Sequence, residues 1–180
     1  MNKNYIFLVT GFEEIEALAT VDILRRGGVT VQLVSLMDTI TVTGRNGVSV
    51  VADIMFDSVD FDNAEMLILP GWTAKIDEHN GLKKAILAHS AKGKRVAAIC
   101  AAPMVLGGLG LLKGKRATCY PGMESYLSGA VLKTKEAVVV DGLITTGKGP
   151  GLTFDFALEL LSQLKGKATA DEVAGQLLLG

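Results

Sequence analysis

Continuous apolar runs alternate with segments of helical spacing over most of the chain. Residues 5–10 form an apolar run, as expected of a central parallel strand. Residues 15–26 place apolar side chains near a 3.6-residue period, and Gly27-Gly28 ends the predicted helix. Residues 30–36 are again typical of a strand, so this part of the pattern predicts a βαβ unit.

Two dipeptides in the pattern favour hairpin turns. Asn46-Gly47 lies between segments 41–44 and 48–52, and Asp141-Gly142 lies between 137–140 and 143–146. The alternation predicts one α/β domain over residues 1–180, a three-layer sandwich with a mainly parallel sheet and helices on both faces. The remaining predicted elements are strands at 66–69, 95–100 and 116–119, and helices at 82–92, from Pro103, at 154–164 and at 171–179.

One uncharged stretch has nearly the length of a membrane span. Residues 96–112 form a 17-residue segment without charge, at the lower limit of the roughly 17–25 residues that a spanning helix needs. Pro103 and three glycines interrupt it, so we expect a buried strand followed by a buried helix. The apolar run at residues 5–10 is followed by acidic residues and predicts a strand rather than a signal peptide.

Composition narrows the classes of partner. Lys and Arg number 18 and Asp and Glu 19, without a basic stripe, so we expect no nucleic-acid partner and no membrane partner. Two cysteines are too few for a disulfide scaffold, and a cytoplasmic location fits best. No Cys/His cluster, P-loop or dinucleotide fingerprint is present in the sequence, so we expect neither a metal nor another cofactor.

The candidate chemistry falls in three short segments. Active sites of parallel sheets lie beyond the carboxyl ends of the strands, and this rule selects residues 10–16, 70–73 and 100–103. They contribute a carboxylate, a glycine-containing turn and a thiol. Backbone N–H groups of Gly71-Trp72 and Ala101 are candidates for an oxyanion hole. A carboxyl group near a thiolate tends to stay protonated because like charges repel.

Cys100 stands at a predicted strand-to-helix turn. Such a turn exposes the sulfur, and the N–H groups that begin the next helix favour thiolate over thiol. The alternative is that Cys100 is a small buried hydrophobe. Spacing alone leaves both interpretations open.

Several motifs in order resemble the ThiJ/PfpI superfamily, and within it the branch of the parkinsonism-associated protein deglycase and its bacterial relatives. The similarity extends from Tyr5 to about Leu164. The motifs are Gly-Phe-Glu-Glu-Ile-Glu16, Val-Asp22-Ile-Leu-Arg-Arg26-Gly-Gly, Leu-Ile-Leu-Pro-Gly71, Ala-Ala-Ile-Cys100-Ala-Ala-Pro, Gly-Lys-Gly-Pro-Gly151 and Phe-Asp-Phe-Ala-Leu158.

The resemblance implies a flavodoxin-like fold of the class I glutamine amidotransferase type and a homodimer. It implies that Cys100 is the reactive cysteine and that Glu16 hydrogen-bonds its sulfur. By position, the resemblance further implies that backbone amides surround the cysteine at Gly71, Trp72 and Ala101, that polar side chains line or flank the pocket at Asp22, Arg26 and Arg45, and that a loop closes near the site at Gly149 and Pro150.

The chain departs from the family pattern in two places. Many relatives have Thr-His-Pro where this chain has Cys119-Tyr120-Pro121, and Trp72 stands where a second glycine is frequent. The two histidines, His79 and His89, match no family catalytic position, and we expect both on solvated faces. A Cys–His peptidase dyad therefore has no support. Tyr120 is a candidate to orient a substrate or donate a proton.

Two residues, Trp72 and Cys119, each allow two interpretations. Trp72 either caps the pocket or is a partly buried aromatic without a role. Cys119 is either an ordinary thiol in a short strand or a resolving cysteine for an oxidised Cys100. Glu13 and Glu14 are expected to place charge at a helix N-terminus.

Two functions compete. In the first, Cys100 and Glu16 process small reactive 2-oxoaldehydes, or their early adducts on amines, as in the glyoxalase III and deglycase activities that the resemblance implies. In the second, Cys100 is a redox sensor of a non-catalytic stress protein or chaperone. A peptidase or a thiamine-pathway enzyme is a weaker alternative.

Overall fold

The structure is a computed structural model and describes residues 3–179. The strands are β1 (Lys3–Leu8), β2 (Val31–Ser35), β3 (Thr41–Thr43), β4 (Ser49–Val51), β5 (Ile54–Met55), β6 (Ala64–Leu69), β7 (Arg95–Ile99), β8 (Arg116–Ala117), β9 (Val131–Leu132), β10 (Val138–Asp141) and β11 (Ile144–Gly147). The α-helices are α1 (Glu14–Arg26), α2 (Lys75–Glu78), α3 (Asn80–Ala91), α4 (Pro103–Gly108), α5 (Thr153–Lys165) and α6 (Lys167–Gln176).

Seven strands form the central sheet in the order β10-β11-β7-β6-β1-β2-β5. All neighbours in it are parallel except the β10–β11 pair, which is antiparallel. The inner order β2-β1-β6-β7-β11 is that of a flavodoxin-like doubly wound sheet, whose order reverses beside β1. Ligands of such sheets bind outside the carboxyl ends of the strands at this reversal, which here lies between β1 and β6.

Alternate side chains of the central strands point to opposite faces of the sheet and form two separate cores, one on each face. Ile6, Leu8 and Ile68 point into the core that α1 and α5 cover, whereas Phe7 and Leu69 point into the core beneath α3 and α4. Strands that are buried on both faces need continuous apolar runs, which explains the sequence of β1 and β6. The predicted three-layer α/β architecture with a mainly parallel sheet is confirmed.

The uncharged segment at residues 96–112 folds as predicted. It contains most of β7, the turn at Cys100 and the six-residue helix α4, all largely buried. In the part of the chain from residue 3 to residue 179, no helix is long and apolar enough to cross a bilayer.

Most predicted elements occur within a few residues of their expected bounds. The 41–52 segment is the antiparallel hairpin β3–β4, and Asp141-Gly142 turns β10 into β11. The pattern missed β5, β9 and α2, because elements of two to four residues are too short to show a repeated spacing. It also placed the start of α6 four residues too late, at 171 rather than Lys167.

Candidate active site

Cys100 forms a sharp turn between β7 and α4. Its backbone φ is +65°, a left-handed conformation that costs a side-chain-bearing residue roughly 1–2 kcal/mol. The neighbouring strand supports this turn, because the Cys100 N–H donates to the Gly147 carbonyl at 2.9 Å and the Cys100 carbonyl accepts from the Tyr120 N–H at 2.8 Å. The residue is only 1% exposed. The turn is present as predicted, but the sulfur is covered.

Gly71 follows β6 and touches the turn at Cys100 directly. A Cβ at position 71 would lie 2.6 Å from the Cys100 Cβ, 2.6 Å from the Ile99 carbonyl oxygen and 2.7 Å from the Ala101 nitrogen. Two of these atoms are backbone, so the neighbours cannot move away without shifting β7 itself. The close approach of the two strand ends therefore requires glycine here.

Glu16 lies in the first turn of α1, which begins where the chain leaves β1. Its backbone N–H donates to the Glu13 carboxylate at 2.8 Å, and Glu13 thereby caps the helix. One carboxyl oxygen of Glu16, Oε2, accepts a 2.7 Å bond from the Gly71 N–H. The other, Oε1, is buried and has no partner at hydrogen-bond geometry within the described residues. The carboxyl group nevertheless interacts with the Cys100 thiol closely enough to affect both pKa values.

The titrations of Glu16 and Cys100 are coupled. Burial raises the pKa of Glu16 to about 7, against the lowering effect of the Gly71 N–H and the Cys100 thiol. Burial and the negative charge of Glu16 raise the pKa of the Cys100 thiol, whereas the backbone N–H groups of Ala101 and Trp72 lower it. A site of this kind favours one negative charge over two, and the raised pKa of the thiol keeps that charge on the Glu16 carboxylate, so a thiolate forms only when its proton passes to Glu16.

This arrangement differs from the sequence expectation in two respects. The helix terminus does not by itself produce a thiolate, because burial outweighs the backbone N–H groups and α4 is only one and a half turns long. The Gly71 N–H points to Glu16 rather than to the thiol. The amides that face the sulfur are those of Trp72 and Ala101, so Gly71 contributes by close packing and by holding the carboxylate.

The Trp72 side chain contacts two others, the guanidinium of Arg45 and the ring of Tyr120. The Arg45 guanidinium carbon lies 3.3 Å from the centre of the Trp72 ring, a cation–π contact. The Trp72 and Tyr120 rings meet edge to face with centroids 5.9 Å apart. The pocket positions predicted for Arg45 and Tyr120 therefore lie together with Trp72.

The β3–β4 hairpin carries Arg45 to this place. The Glu14 carboxylate accepts from the Asn46 backbone N–H at 2.6 Å and from Asn46 Nδ2 at 3.0 Å. The Arg45 N–H donates to the Phe12 carbonyl at 2.9 Å, and Gly44 packs so closely that a Cβ would collide with Glu14. The hairpin tip is thus fastened to the start of α1. Sequence reasoning gave Glu14 a charge role only, since no local pattern pairs residues 32 positions apart.

The remaining predicted pocket residues divide into two groups. Gly149 lies at the site, because a Cβ there would be 3.2 Å from the Tyr120 ring, and Pro150 opens the 3₁₀ turn that leads into α5. Asp22 and Arg26 pair with each other at 2.7 Å on the exposed surface of α1. They lie six and ten residues beyond Glu16, roughly 9 and 15 Å along the helix at 1.5 Å per residue. Within this chain they do not line the pocket.

Neither histidine belongs to the site, but one expectation about them was wrong. His89 is 3% exposed rather than solvated, and its Nε2 lies 3.1 Å from the Arg95 carbonyl oxygen. Burial lowers the pKa of His89. His79 caps α3 by accepting from the Leu82 N–H through Nδ1 at 2.9 Å. The i, i+4, i+7 spacing of Leu82, Ile86 and His89 places position 89 on the buried face of α3, a signal that the expectation of a solvated histidine did not use.

Cys119 is a second free, buried thiol. Burial and the nearby Glu124 charge raise its pKa to about 11. It packs in the core beneath α3 and α4, whereas Cys100 packs in the opposite one. Whether Cys119 resolves an oxidised Cys100 stays a prediction. Among residues 3–179, no three His, Cys, Asp or Glu side chains are arranged to hold a metal ion.

Comparisons with known proteins agree with this architecture. The chain matches the DJ-1/PfpI family over residues 2–163. It is 35% identical to Protein DJ-1 homolog B of Arabidopsis thaliana over 98% of this chain, and spans only 41% of that protein's length. It is 32% identical to a deglycase of Pyrococcus horikoshii over 86% of this chain and 94% of that protein.

Two solved structures superimpose closely on the chain. Drosophila melanogaster DJ-1beta has a TM-score of 0.95 at 32% identity, over 99% of this chain and 98% of that one. Oxidized Toxoplasma gondii DJ-1 has a TM-score of 0.93 at 34% identity, over the same shares. Together with the family match over most of the sequence, these similarities mean that the chain belongs to the DJ-1/PfpI family.

Proposed function

We propose that the chain uses Cys100 and Glu16 to convert small 2-oxoaldehydes, or their early adducts on amines, into 2-hydroxy acids. The single observation that carries this proposal is the buried pair itself. A carboxyl group with a pKa of about 7 lies against a thiol in a left-handed turn. A base with a pKa near the working pH is well suited to proton transfer, so Glu16 supplies what the absent histidine would.

The first step is addition of the thiol to the aldehyde. The Glu16 carboxylate takes the thiol proton as the Cys100 sulfur forms a bond to the aldehyde carbon. The electron pair of the C=O bond moves to its oxygen, which takes the proton from Glu16 to give a hemithioacetal and restore the carboxylate. The N–H groups of Ala101 and Trp72, which face the sulfur, are placed to stabilise the developing negative charge.

The second step transfers a proton between adjacent carbons. The Glu16 carboxylate removes the proton from the carbon that bears sulfur, which leaves an enediol, and returns it to the neighbouring carbon. The hydroxyl proton of the hemithioacetal passes to the neighbouring oxygen, so the product is the thioester of a 2-hydroxy acid. Water then cleaves the thioester, which releases the acid and restores the thiol. Overall, one 2-oxoaldehyde and one water give one 2-hydroxy acid, without an external oxidant or reductant. Starting from a hemiaminal adduct, the C–S bond forms as the C–N bond breaks, and the amine leaves with the proton that Glu16 took from the thiol, which gives the same hemithioacetal.

The similarity to the Pyrococcus protein supports this proposal, because that protein is named a deglycase and the match spans 94% of its length. A small reactive carbonyl compound is therefore the proposed substrate. The homodimer and the cytoplasmic location stay predictions.

The test is production of lactate from methylglyoxal. We expect the wild type to form lactate and Cys100→Ser to lose the activity, whereas Cys119→Ser serves as the matched thiol control and should retain it. Equal rates for the wild type and Cys100→Ser would contradict a cysteine mechanism.

A second function, redox sensing, is favoured by one specific comparison. The Toxoplasma DJ-1 structure, at 34% identity, is of an oxidized protein. In this chain the amides that face the sulfur and a protonated Glu16 could equally bind the oxygens of a cysteine sulfinate. Mass spectrometry after mild peroxide treatment distinguishes the two functions. Oxygen addition at Cys100, in a protein that makes no lactate, would favour sensing.

A further inference from the structure

Trp72 has a backbone conformation that its side chain does not favour. Its φ is +84°, in the left-handed region where glycine is unstrained. A bulky residue persists at such a position only when surrounding contacts hold it there. The contacts that hold Trp72 are therefore informative about its role.

Those contacts join the two sides of the cysteine turn. The backbone of Trp72 approaches Cys100 through an N–H that faces the sulfur, and Tyr120 approaches it from the other side through the 2.8 Å bond to the Cys100 carbonyl. Their side chains meet edge to face, and Arg45 covers the Trp72 ring from the hairpin tip. Three residues from three separate loops thus close on one another beside a single thiol.

The cysteine is almost inaccessible to solvent, whereas the two aromatic residues whose backbones adjoin its turn are partly exposed. Cys100 is 1% exposed, whereas Trp72 is 37% and Tyr120 38% exposed. Because Cys100 is buried, an electrophile reaches its sulfur only after neighbouring groups move. Movement of the Trp72 ring breaks one cation–π contact with Arg45 and one aromatic contact with Tyr120.

We propose that Trp72, held between Arg45 and Tyr120, is a gate that determines which carbonyl compounds reach Cys100. The gate admits small free 2-oxoaldehydes and excludes bulky ones, including adducts carried on the side chains of folded proteins. This choice of substrate rests on the proposed function, whereas the gate itself concerns access to the thiol.

Access is measured without turnover by alkylation of Cys100. The rates of modification by iodoacetamide and by the much larger N-(1-pyrenyl)maleimide are followed by mass spectrometry. Trypsin places Cys100 and Cys119 on separate peptides, 96–113 and 117–133. Both reagents attack the same thiolate, so a change in the pKa of Cys100 largely cancels in the ratio of their rates.

The decisive variant is Trp72→Gly, which removes the ring, keeps the backbone N–H and suits a positive φ. We expect the ratio of bulky to small modification to rise about tenfold or more, as expected from losing one cation–π contact and one aromatic pair. Arg45→Met, which keeps side-chain length without charge, should raise the ratio less. Tyr126→Ala removes another exposed aromatic and should leave the ratio at the wild-type value. An unchanged ratio in Trp72→Gly would overturn the gate.

Folding and function are separated by two further readouts. If Cys119 also becomes reactive in Trp72→Gly, the variant has loosened the fold, and Arg45→Met then decides: a raised ratio supports the gate and a wild-type ratio overturns it. The specificity for phenylglyoxal relative to methylglyoxal, measured as kcat/KM, should rise together with the alkylation ratio. If no variant turns over either aldehyde, the proposed function fails, while the alkylation ratio still decides for or against the gate.

Discussion

The Gly71 N–H donates to Oε2 of Glu16 at 2.7 Å, and this bond joins the carboxyl end of β6 to the first turn of α1. It crosses the point between β1 and β6 where the strand order of the sheet reverses. The same two residues flank Cys100, Gly71 by close packing and Glu16 through its carboxyl group. The position of the Glu16 carboxyl group is therefore fixed by its bond to the end of β6.

The activity of the wild type should depend on pH through Glu16. Because the carboxylate form is the base and its pKa is about 7, we expect kcat/KM for methylglyoxal to rise with pH through that region. The measurement is a kcat/KM profile from about pH 5 to about pH 8, a range that lies between the usual titration of an exposed carboxyl group and that of an exposed thiol. A profile that is flat across neutral pH would argue against Glu16 as the base.

Glu16→Gln should change turnover and thiol reactivity in opposite directions. Removing the base should lower kcat/KM by about 10²–10⁴-fold. Removing the negative charge should lower the pKa of Cys100, because the Glu16 charge is one of the factors that raise it. Alkylation of Cys100 by iodoacetamide at neutral pH should therefore become faster. Glu78→Gln, at an acid on α2, is the control, and a fall in both quantities would contradict this account.

Gly71→Ala should destabilise the protein, because the added methyl group meets backbone atoms of Ile99 and Ala101 at 2.6–2.7 Å. We expect a loss of about 1–3 kcal/mol in the free energy of unfolding, the usual cost of overpacking, measured by urea denaturation. Gly108→Ala is the matched control, since nothing lies within 4 Å of its added Cβ. A stability loss of equal size in the two variants would refute the packing argument.

His89 should make the protein less stable in acid. Burial lowers its pKa in the folded state, so the unfolded chain binds more protons once the pH falls below about 6.5. Stability is then lost as the pH decreases. Glu16 acts in the opposite sense, because its raised pKa makes the folded state bind more protons between about pH 7 and its unfolded value near 4.3.

The contribution of His89 to the pH dependence of stability is separated from that of Glu16 by comparing the wild type with His89→Gln. The free energy of unfolding is compared at neutral and mildly acidic pH for the wild type and for His89→Gln, which can still donate to the Arg95 carbonyl. The wild type should lose more stability on acidification than the variant. An identical pH dependence in both would show that His89 does not contribute.

Glu14→Gln should release the hairpin tip. The variant places an amide group against Asn46, where the carboxylate accepts two hydrogen bonds. We expect faster amide hydrogen exchange at Arg45 and Asn46 and a stability loss of about 1–3 kcal/mol. Glu172→Gln, at an exposed position on α6, should show neither change. Unchanged exchange in the tip would mean that the backbone bond of Arg45 to Phe12 is sufficient to hold it.

The sequence predicts the elements that have a regular apolar spacing and the turns whose signals are adjacent in the chain. Apolar periodicity predicted β1, α1 and β7, because burial of a strand or helix face imposes a regular spacing. The turn at Cys100 was predictable from the strand before it and the proline after it. Glu16 was identified by resemblance to a family motif, since nothing local indicates that its carboxyl group turns toward β6.

The parts that escaped prediction depend on contacts between distant segments. The strand-end rule and the family resemblance predict that the Gly71 N–H belongs to an oxyanion hole around Cys100, whereas in the folded chain it donates to Glu16. The Glu14–Asn46 bonds connect the start of α1 to the tip of the β3–β4 hairpin, and no sequence pattern relates these two segments. The thiol pKa was expected to fall because helix termini are visible in a sequence, whereas the burial that raises it is a property of the packed core.

The contacts of Trp72 with Arg45 and Tyr120 also affect the fluorescence of the protein. It is the only tryptophan of the chain, so the intrinsic indole fluorescence of the whole protein originates beside Cys100. A movement of the Trp72 ring that breaks its contacts with Arg45 and Tyr120 will change the intensity and polarisation of that emission. The protein therefore carries an optical reporter of its own site, which can be read in stopped flow without any label.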